Sequence, residues 1–195
     1  MIPKATPTLR LALLLTAALS LNACTSLINA VTSDPIQPDP SETSIGTDID
    51  DWQMSTMVGV NIKKASPQLA SSHINVSTYN KVVLLTGEVA SGEQRTLAGT
   101  TARNYRGVRQ VYNELKLQGS SSLLARTNDG WLTTKVKTKL LANNEIASSQ
   151  IEVVTESGTV YLMGVVSRNA ADRATTVASN TGGVIKVVRV FEYLD

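Results

Sequence analysis

Hydrophobic and polar residues follow each other in a pattern that occurs twice along the chain. Each occurrence opens with hydrophobic residues four positions apart, which is the spacing of one buried face of an α-helix. These residues are Met54, Val58 and Ile62 in the first occurrence, and Leu132, Val136 and Leu140 in the second. Segment 54–89 aligns with segment 132–166 with a single one-residue gap. The repetition predicts two copies of one small domain.

The rest of each copy predicts a hairpin, a second helix and a final strand. Two runs rich in β-branched residues are separated by Asn80-Lys81 in the first copy and by Ser157-Gly158 in the second, as in a β-hairpin. An Ala/Thr-rich helix follows and ends at a glycine in both copies. The last runs, VRQVYNELKL and VIKVVRVFEYL, indicate strands. The order is αββαβ, so we predict an α+β fold in which each copy packs two helices against a three-stranded mixed sheet.

The first 23 residues have the pattern of an export signal. Lys4 and Arg10 precede an apolar run over residues 11–21, which is too short to span a bilayer comfortably. The run ends in LNAC, residues 21–24, which resembles the lipobox of bacterial lipoproteins. The resemblance implies cleavage before Cys24 and attachment of lipid, palmitate included, to its thiol and its new amine. An ordinary secretory peptide with an incidental cysteine is the alternative.

Charge and proline content divide the remainder of the chain. Residues 24–51 contain three prolines, six acidic residues and no Lys or Arg, which is typical of a disordered tether. The following residues are mildly basic, which suits an anionic surface. We therefore predict a signal peptide in 1–23, a lipidated cysteine with a disordered tether in 24–51, a first domain in 52–118, a linker in 119–127 and a second domain in 128–195.

The chain contains one cysteine and one histidine, which limits the chemistry that it can carry out. Neither an internal disulfide nor a Cys/His metal cluster can form. We interpret His73, in a turn-like SSHIN segment, as a structural histidine. The sequence shows neither a nucleophile paired with a base nor a phosphate-binding loop. We expect a protein that is not an enzyme, uses no cofactor and no metal, and, because it is exported, does not bind nucleic acid.

Several of these features together are similar to the BON domain family. They are the stripes of Val58/Ile62 and Val136/Leu140, the paired glycines Gly87 and Gly164 in VVLLTGEV and TVYLMGVV, and the runs GVRQVYNEL and GVIKVVRVF. We interpret the two glycines as bulges or points of close packing. With the lipobox, the resemblance extends to dual-BON lipoproteins of the outer membrane. It implies phospholipid-surface binding, support of envelope integrity, no catalytic activity, anchoring on the periplasmic side of the outer membrane and enrichment at the division site.

The tryptophan at position 131 distinguishes the two copies. On a helical wheel it lies about 140° from the centre of the core stripe, beside lysine and threonine. The first copy has Gln53 at this position and Met57 at that of Lys135. Tryptophan beside lysine on an exposed face is typical of a helix at a membrane interface. We therefore predict that the second copy binds anionic phospholipid, such as phosphatidylglycerol or cardiolipin, through Trp131, Leu132, Thr134, Lys135, Thr138, Lys139 and Leu141.

The sequence also allows other interpretations of these residues. Trp131 could fold back onto the sheet edge or pack against the first copy. The first copy is the more basic one, with eight basic and three acidic residues in 52–118, so its arginines could form a separate patch. Those arginines are Arg95, Arg103, Arg106 and Arg109. The alternative functions are an adaptor for the outer-membrane assembly machinery and a soluble periplasmic chaperone.

Overall fold

The computed structural model describes residues 47–118, here named domain 1, and residues 123–194, here named domain 2. Both domains belong to one compact unit, Gln37–Asp195. The predicted signal peptide, Cys24 and most of the predicted tether lie outside the described residues. None of the helices in domains 1 and 2 is long and apolar enough to cross a membrane.

Domain 1 consists of helices on one face of a small mixed sheet. Its elements are α1 (Thr47–Ala65), α2 (Pro67–Ser71), β1 (His73–Tyr79), β2 (Val82–Val89), α3 (Gly92–Arg103), β3 (Gln110–Asn113) and β4 (Lys116–Leu117). Strand β1 pairs antiparallel with β2, and both β3 and β4 pair parallel with β2. Strand β2 is therefore central, and β3 and β4 are two segments of one edge strand.

Domain 2 has the same order with an uninterrupted last strand. Its elements are α4 (Leu123–Leu141), a 3₁₀ turn (Ser148–Gln150), β5 (Ile151–Glu156), β6 (Thr159–Val166), α5 (Arg168–Ser179) and β7 (Lys186–Tyr193). Strand β6 is central, antiparallel to β5 and parallel to β7. The prediction of an α+β fold with two αββαβ copies is confirmed, and α2 and the 3₁₀ turn are additions to it.

The first helix of each domain begins earlier than its composition predicts. Helix α1 begins at Thr47, inside the predicted tether, and α4 begins at Leu123, inside the predicted linker. For α1 the reason is Asp51. This acidic residue belongs to the segment predicted as a tether, but it is buried. Its carboxylate accepts hydrogen bonds from the backbone N–H groups of Asn80 and Lys81 in the hairpin turn. The helix must therefore extend past Asp51 to hold the hairpin.

Domain 2 repeats this contact with an equivalent aspartate. Asp129 accepts hydrogen bonds from the backbone N–H groups of Ser157 at 2.7 Å and Gly158 at 2.8 Å. We name Asp51 and Asp129 the turn-binding aspartates. Charge-assisted bonds of this kind are roughly twice as strong as neutral ones, so in each domain one carboxylate fixes the hairpin to the first helix.

Each domain has its own hydrophobic core between its helices and its sheet, and the predicted stripes lie in these cores. The paired glycines lie on the central strands where the backbones approach closely. A Cβ at Gly87 would collide with the carbonyl oxygen of His73, and a Cβ at Gly164 with that of Gln150. The interpretation of both glycines as points of close packing is confirmed.

The two domains pack against each other through the sheet faces that point away from the helices. A third hydrophobic cluster joins Val82 and Leu84 of β2 to Tyr161 and Met163 of β6 and Val190 of β7. Both central strands are therefore covered on two faces, as their nearly continuous apolar sequences allow. This arrangement leaves the first helices, α1 and α4, on the outside of the sheet pair.

Candidate functional site

Helix α4 presents one face to its own core and a second face to solvent. Leu132 is 1% exposed and lies in the core of domain 2, whereas Trp131 is 61% and Leu141 69% exposed. Thr134 and Thr138 are also exposed and lie between these two apolar side chains on the wheel. We name Trp131, Thr134, Thr138 and Leu141 the exposed face of α4.

The exposure of Trp131 decides between the interpretations that the sequence allows. Its ring packs neither in the core of domain 2 nor in the cluster that joins the two domains. The contact that the ring does make is with Lys135, whose Nζ lies 4.6 Å from the ring centroid, within the range of a cation–π interaction. The alternative in which Trp131 packs against domain 1 is therefore wrong.

Lysine side chains border the exposed face along one side and are held in place. Lys135 Nζ donates to the carbonyl oxygen of Gly182 at 2.9 Å, and Lys139 Nζ donates to that of Asn180 at 3.2 Å. These carbonyls follow the end of α5, where cations are favoured by the helix dipole. Lys137, on the other flank, pairs with Glu152 at 3.1 Å. The ammonium groups near Trp131 are therefore positioned by the loop after α5.

The two threonines of the exposed face are polar residues with satisfied hydroxyl groups. Thr134 Oγ1 donates to the carbonyl oxygen of Gly130 at 3.1 Å, and Thr138 Oγ1 donates to that of Thr134 at 2.9 Å. Because these hydroxyls already have intrahelical acceptors, moving them into a less polar environment costs less than moving unbonded hydroxyls. The whole face can therefore approach an apolar phase.

One residue of the predicted lipid-binding set is misplaced. Leu132 follows Trp131 directly, but one residue turns a helix by about 100°, so its side chain points into the core. Because it is buried there, it cannot contact lipid, and the prediction for Leu132 is wrong. The remaining six residues of the set lie on the exposed face of α4 or at its lysine border.

Ile185 is an exposed hydrophobic residue that the sequence reasoning missed. It is 81% exposed and precedes β7. Its backbone N–H donates to the carbonyl oxygen of Gly158, and Gly158 in turn donates to Asp129, so Ile185 lies at the end of domain 2 where Trp131 begins the exposed face. The repeat alignment could have identified this residue, because Ile185 aligns with the charged Arg109 of domain 1.

Trp52 on α1 was also missed, and it is even more exposed than Trp131. It lies one position earlier in its helix than Trp131 does, so it projects in a different direction. The surroundings differ as well, because Val60 and Asn61, which align with Thr138 and Lys139, are buried. Helix α1 therefore carries an exposed tryptophan without an exposed face like that of α4.

Two arginines of domain 1, Arg95 and Arg109, bond to other parts of the molecule. Arg109 pairs with Glu192 of domain 2, and an Nη atom of Arg95 donates to the carbonyl oxygen of Asn113 at 2.8 Å. Arg95 and Arg103 line one shallow hollow of about 330 Å³ on α3. Part of the basic excess of domain 1 is thus used in contacts within the molecule.

The architecture and the repeat agree with one protein family. Residues 50–119 and residues 128–195 each match the family model of the BON domain. The chain therefore belongs to the BON domain family, with two tandem copies.

Similar proteins that match most of the chain have several different names. The chain is 34% identical to the outer membrane lipoprotein DolP of Haemophilus influenzae, over 97% of this chain and 98% of that protein. It is 36% identical to a 21 kDa hemolysin of Actinobacillus pleuropneumoniae, over 77% and 78% of the two chains. It is 31% identical to the osmotically-inducible protein Y of Escherichia coli, over 91% and 90%.

Proposed function

We propose that this chain is a non-enzymatic lipoprotein of the outer membrane that binds anionic phospholipid through the exposed face of α4. The observation that carries the proposal is the pair of solvent-exposed side chains Trp131 and Leu141, with Lys135 and Lys139 along one side of them. An indole and a leucine can enter the headgroup region while the ammonium groups meet phosphates.

The size of the face suits a weak surface contact that an anchor reinforces. Moving an exposed tryptophan and an exposed leucine out of water contributes about 3–5 kcal/mol at 25 cal/mol per Å². Each lysine near an anionic surface adds about 1 kcal/mol. These amounts must offset the loss of orientational freedom, so a lipidated Cys24 that keeps the domain at the membrane makes the contact effective.

The lipid anchor and the location are supported by the sequence and by one relative. LNAC at residues 21–24 resembles a lipobox, and the full-length relative from Haemophilus influenzae is named an outer membrane lipoprotein. Anchoring on the periplasmic side, enrichment at the division site and support of envelope integrity complete the proposal.

Vesicle binding tests the role of the exposed face. The chain from residue 24, with Cys24→Ser to prevent lipidation, is mixed with phosphatidylcholine vesicles that contain or lack phosphatidylglycerol or cardiolipin, and the bound fraction is measured by flotation. We expect binding only to the anionic vesicles. Trp131→Glu should weaken it at least about 10-fold, because it removes the apolar anchor and adds a repelled charge.

Trp52→Glu is the matched control, because it makes the same substitution at an exposed tryptophan of the other domain. It should leave vesicle binding within about 2-fold of the parent. Equal loss in the two variants, or full binding by a Trp131→Glu chain with native circular dichroism, would reject the exposed face of α4 as the lipid site.

A protein-interaction adaptor for the outer-membrane assembly machinery is the second candidate. The exposed Trp52, Trp131 and Ile185 favour it, since tryptophan is a common anchor of protein interfaces. A photo-crosslinking residue at position 131 distinguishes the two functions in cells. Crosslinks to lipid support the first proposal, and a single protein adduct supports the adaptor. A Cys24→Ser chain that retains full function would instead support a soluble chaperone.

A further inference from the structure

Three side chains with metal-binding atoms meet where the two domains contact each other. His73 and Glu88 are direct register partners across β1 and β2 of domain 1. Glu156 comes from the end of β5 in domain 2. One imidazole nitrogen and one carboxylate oxygen from each glutamate all lie within 4.8 Å of one another. This cluster is not visible in the sequence, because His73 and Glu156 are far apart along the chain.

Both carboxylates of the cluster are withdrawn from water. Glu88 is 2% and Glu156 is 3% exposed. Two buried carboxylates close together are costly unless a positive charge compensates them. A cation bound between these carboxylates and the imidazole of His73 offsets part of that cost.

The orientation of Glu156 leaves one oxygen directed at the histidine. Asn75 Nδ2 donates to Glu156 Oε2 at 2.8 Å, and the other oxygen, Oε1, lies 3.6 Å from His73 Nε2. An outer partner that fixes a carboxylate in this way is a regular feature of metal sites. Asn75 therefore acts as a positioning residue for Glu156.

We propose that His73, Glu88 and Glu156 bind a divalent transition-metal cation of the Zn²⁺ type between the two domains. Zn²⁺ takes imidazole nitrogen and carboxylate oxygen at about 2.0–2.2 Å, so tetrahedral ligand atoms lie about 3.3 Å apart. The 3.6 Å separation of His73 and Glu156 is close to this value, and the Glu88 oxygen, within 4.8 Å of the other two atoms, requires a shift of at most about 1.5 Å. Water completes the coordination. The imidazole ligand disfavours Mg²⁺ and Ca²⁺, which prefer oxygen ligands alone.

The metal would join the two domains, because each contributes ligands from its own sheet. The expectation of no metal, drawn from the sequence, counted cysteine and histidine and left out the carboxylates. This site is on the contact between the sheets and not on the exposed face of α4. Its existence is thus independent of lipid binding.

Calorimetric titration with Zn²⁺ tests the site. The full chain is used without a histidine tag, in detergent, after treatment with EDTA and dialysis, and it carries Cys24→Ser so that the thiol cannot bind zinc. We expect saturable binding of one Zn²⁺ per chain and no such binding of Mg²⁺. His73→Gln and Glu156→Gln should each weaken Zn²⁺ binding at least about 100-fold, more than the loss of an outer partner does.

Glu152→Gln is the matched control, because Glu152 is a half-exposed carboxylate on the same strand as Glu156 and pairs with Lys137. It should keep the parent affinity. Zn²⁺ should also raise the thermal unfolding midpoint of the parent and of Glu152→Gln, and not that of His73→Gln. Co²⁺ in place of Zn²⁺ should give a visible absorption band that His73→Gln alters.

The outcomes that would overturn the proposal are specific. They are the absence of saturable one-to-one binding in the parent, and parent affinity in a His73→Gln or His73→Asn chain whose circular dichroism is native. Parent affinity in Glu156→Gln would overturn the claim that the metal joins the domains.

Discussion

Helices α1 and α4 occupy equivalent positions in two copies of one domain. They differ on the side that faces away from the core of their own domain. Both carry an apolar stripe at spacing four and one turn-binding aspartate, Asp51 or Asp129. Their outer sides differ, because Thr138 and Lys139 of α4 are exposed while the aligned Val60 and Asn61 of α1 are buried. The duplicated scaffold thus keeps its internal contacts, and only domain 2 has an exposed face of the predicted kind.

Substitution of the paired glycines tests how far the two copies are equivalent. It should give the largest change in the free energy of unfolding. Gly164→Ala should lower the free energy of unfolding by about 3 kcal/mol, because the new Cβ meets the carbonyl oxygen of Gln150. Gly87→Ala should cost about 1 kcal/mol more, since Gly87 also has φ of +111°. Urea denaturation followed by circular dichroism measures both values.

Gly92→Ala is the control for these substitutions. A Cβ at Gly92 meets nothing within 4 Å, so the free energy of unfolding should change by less than about 0.5 kcal/mol. If Gly87→Ala and Gly164→Ala are as mild as Gly92→Ala, the close approach of the central strand to its neighbour is not a rigid feature of the domain.

The turn-binding aspartates should give the next largest effect, and an equal one in the two domains. Asp51→Ala and Asp129→Ala each leave two backbone N–H groups of a hairpin turn without their charged acceptor. We expect each substitution to lower the free energy of unfolding by about 3 kcal/mol. Asp50→Ala, next to Asp51, should change it by about 0.5 kcal/mol or less. A large difference between Asp51→Ala and Asp129→Ala would show that the two contacts are not equivalent.

The parts of the fold that sequence predicts are those set by local patterns. Spacing four for the helices and the turn residues of the hairpins are local signals, and both are confirmed. Helix α1 begins earlier than the composition predicts, because Asp51 belongs to an acidic segment although its partner is a hairpin turn about thirty residues later. The packing of the sheets depends on which apolar faces meet, and no local pattern encodes that choice.

The candidate site divides in the same way. The wheel predicts that Trp131 and Leu141 point away from the core, because a helix fixes that relation. The same wheel places Leu132 in the core, so a lipid contact for Leu132 is predicted only by its neighbourhood in sequence, and that prediction is wrong. Ile185 lies on another element and reaches the end of α4 only through the hairpin turn. Contacts between elements that are distant in sequence, like the cluster at His73, become visible only in the three-dimensional structure.

The lysine border of α4 tests whether its charges act at a membrane. Lys135→Met gives domain 2 the residue that domain 1 has at Met57, and it should weaken binding to anionic vesicles about 5-fold, which corresponds to about 1 kcal/mol. The difference should shrink at high salt. Lys137→Met removes the same charge on the flank that pairs with Glu152 and should have a smaller effect. Equal loss in the two variants would mean that net charge alone, and not the position beside Trp131, governs binding.

Lys81→Gly, in the hairpin turn of domain 1, should give the smallest effect. Lys81 has φ of +64°, and Gly158, its equivalent in domain 2, has φ of +70°. A left-handed conformation costs a lysine about 1 kcal/mol that glycine does not incur, and the greater freedom of unfolded glycine offsets part of this. Lys81→Gly should therefore raise the free energy of unfolding by about 0.5 kcal/mol, measured by urea denaturation. The reciprocal Gly158→Lys should lower it by more than about 1 kcal/mol, because its Cβ also meets the side chain of Ile185. Destabilisation by Lys81→Gly would mean that the lysine side chain contributes more at this turn than its backbone strain costs.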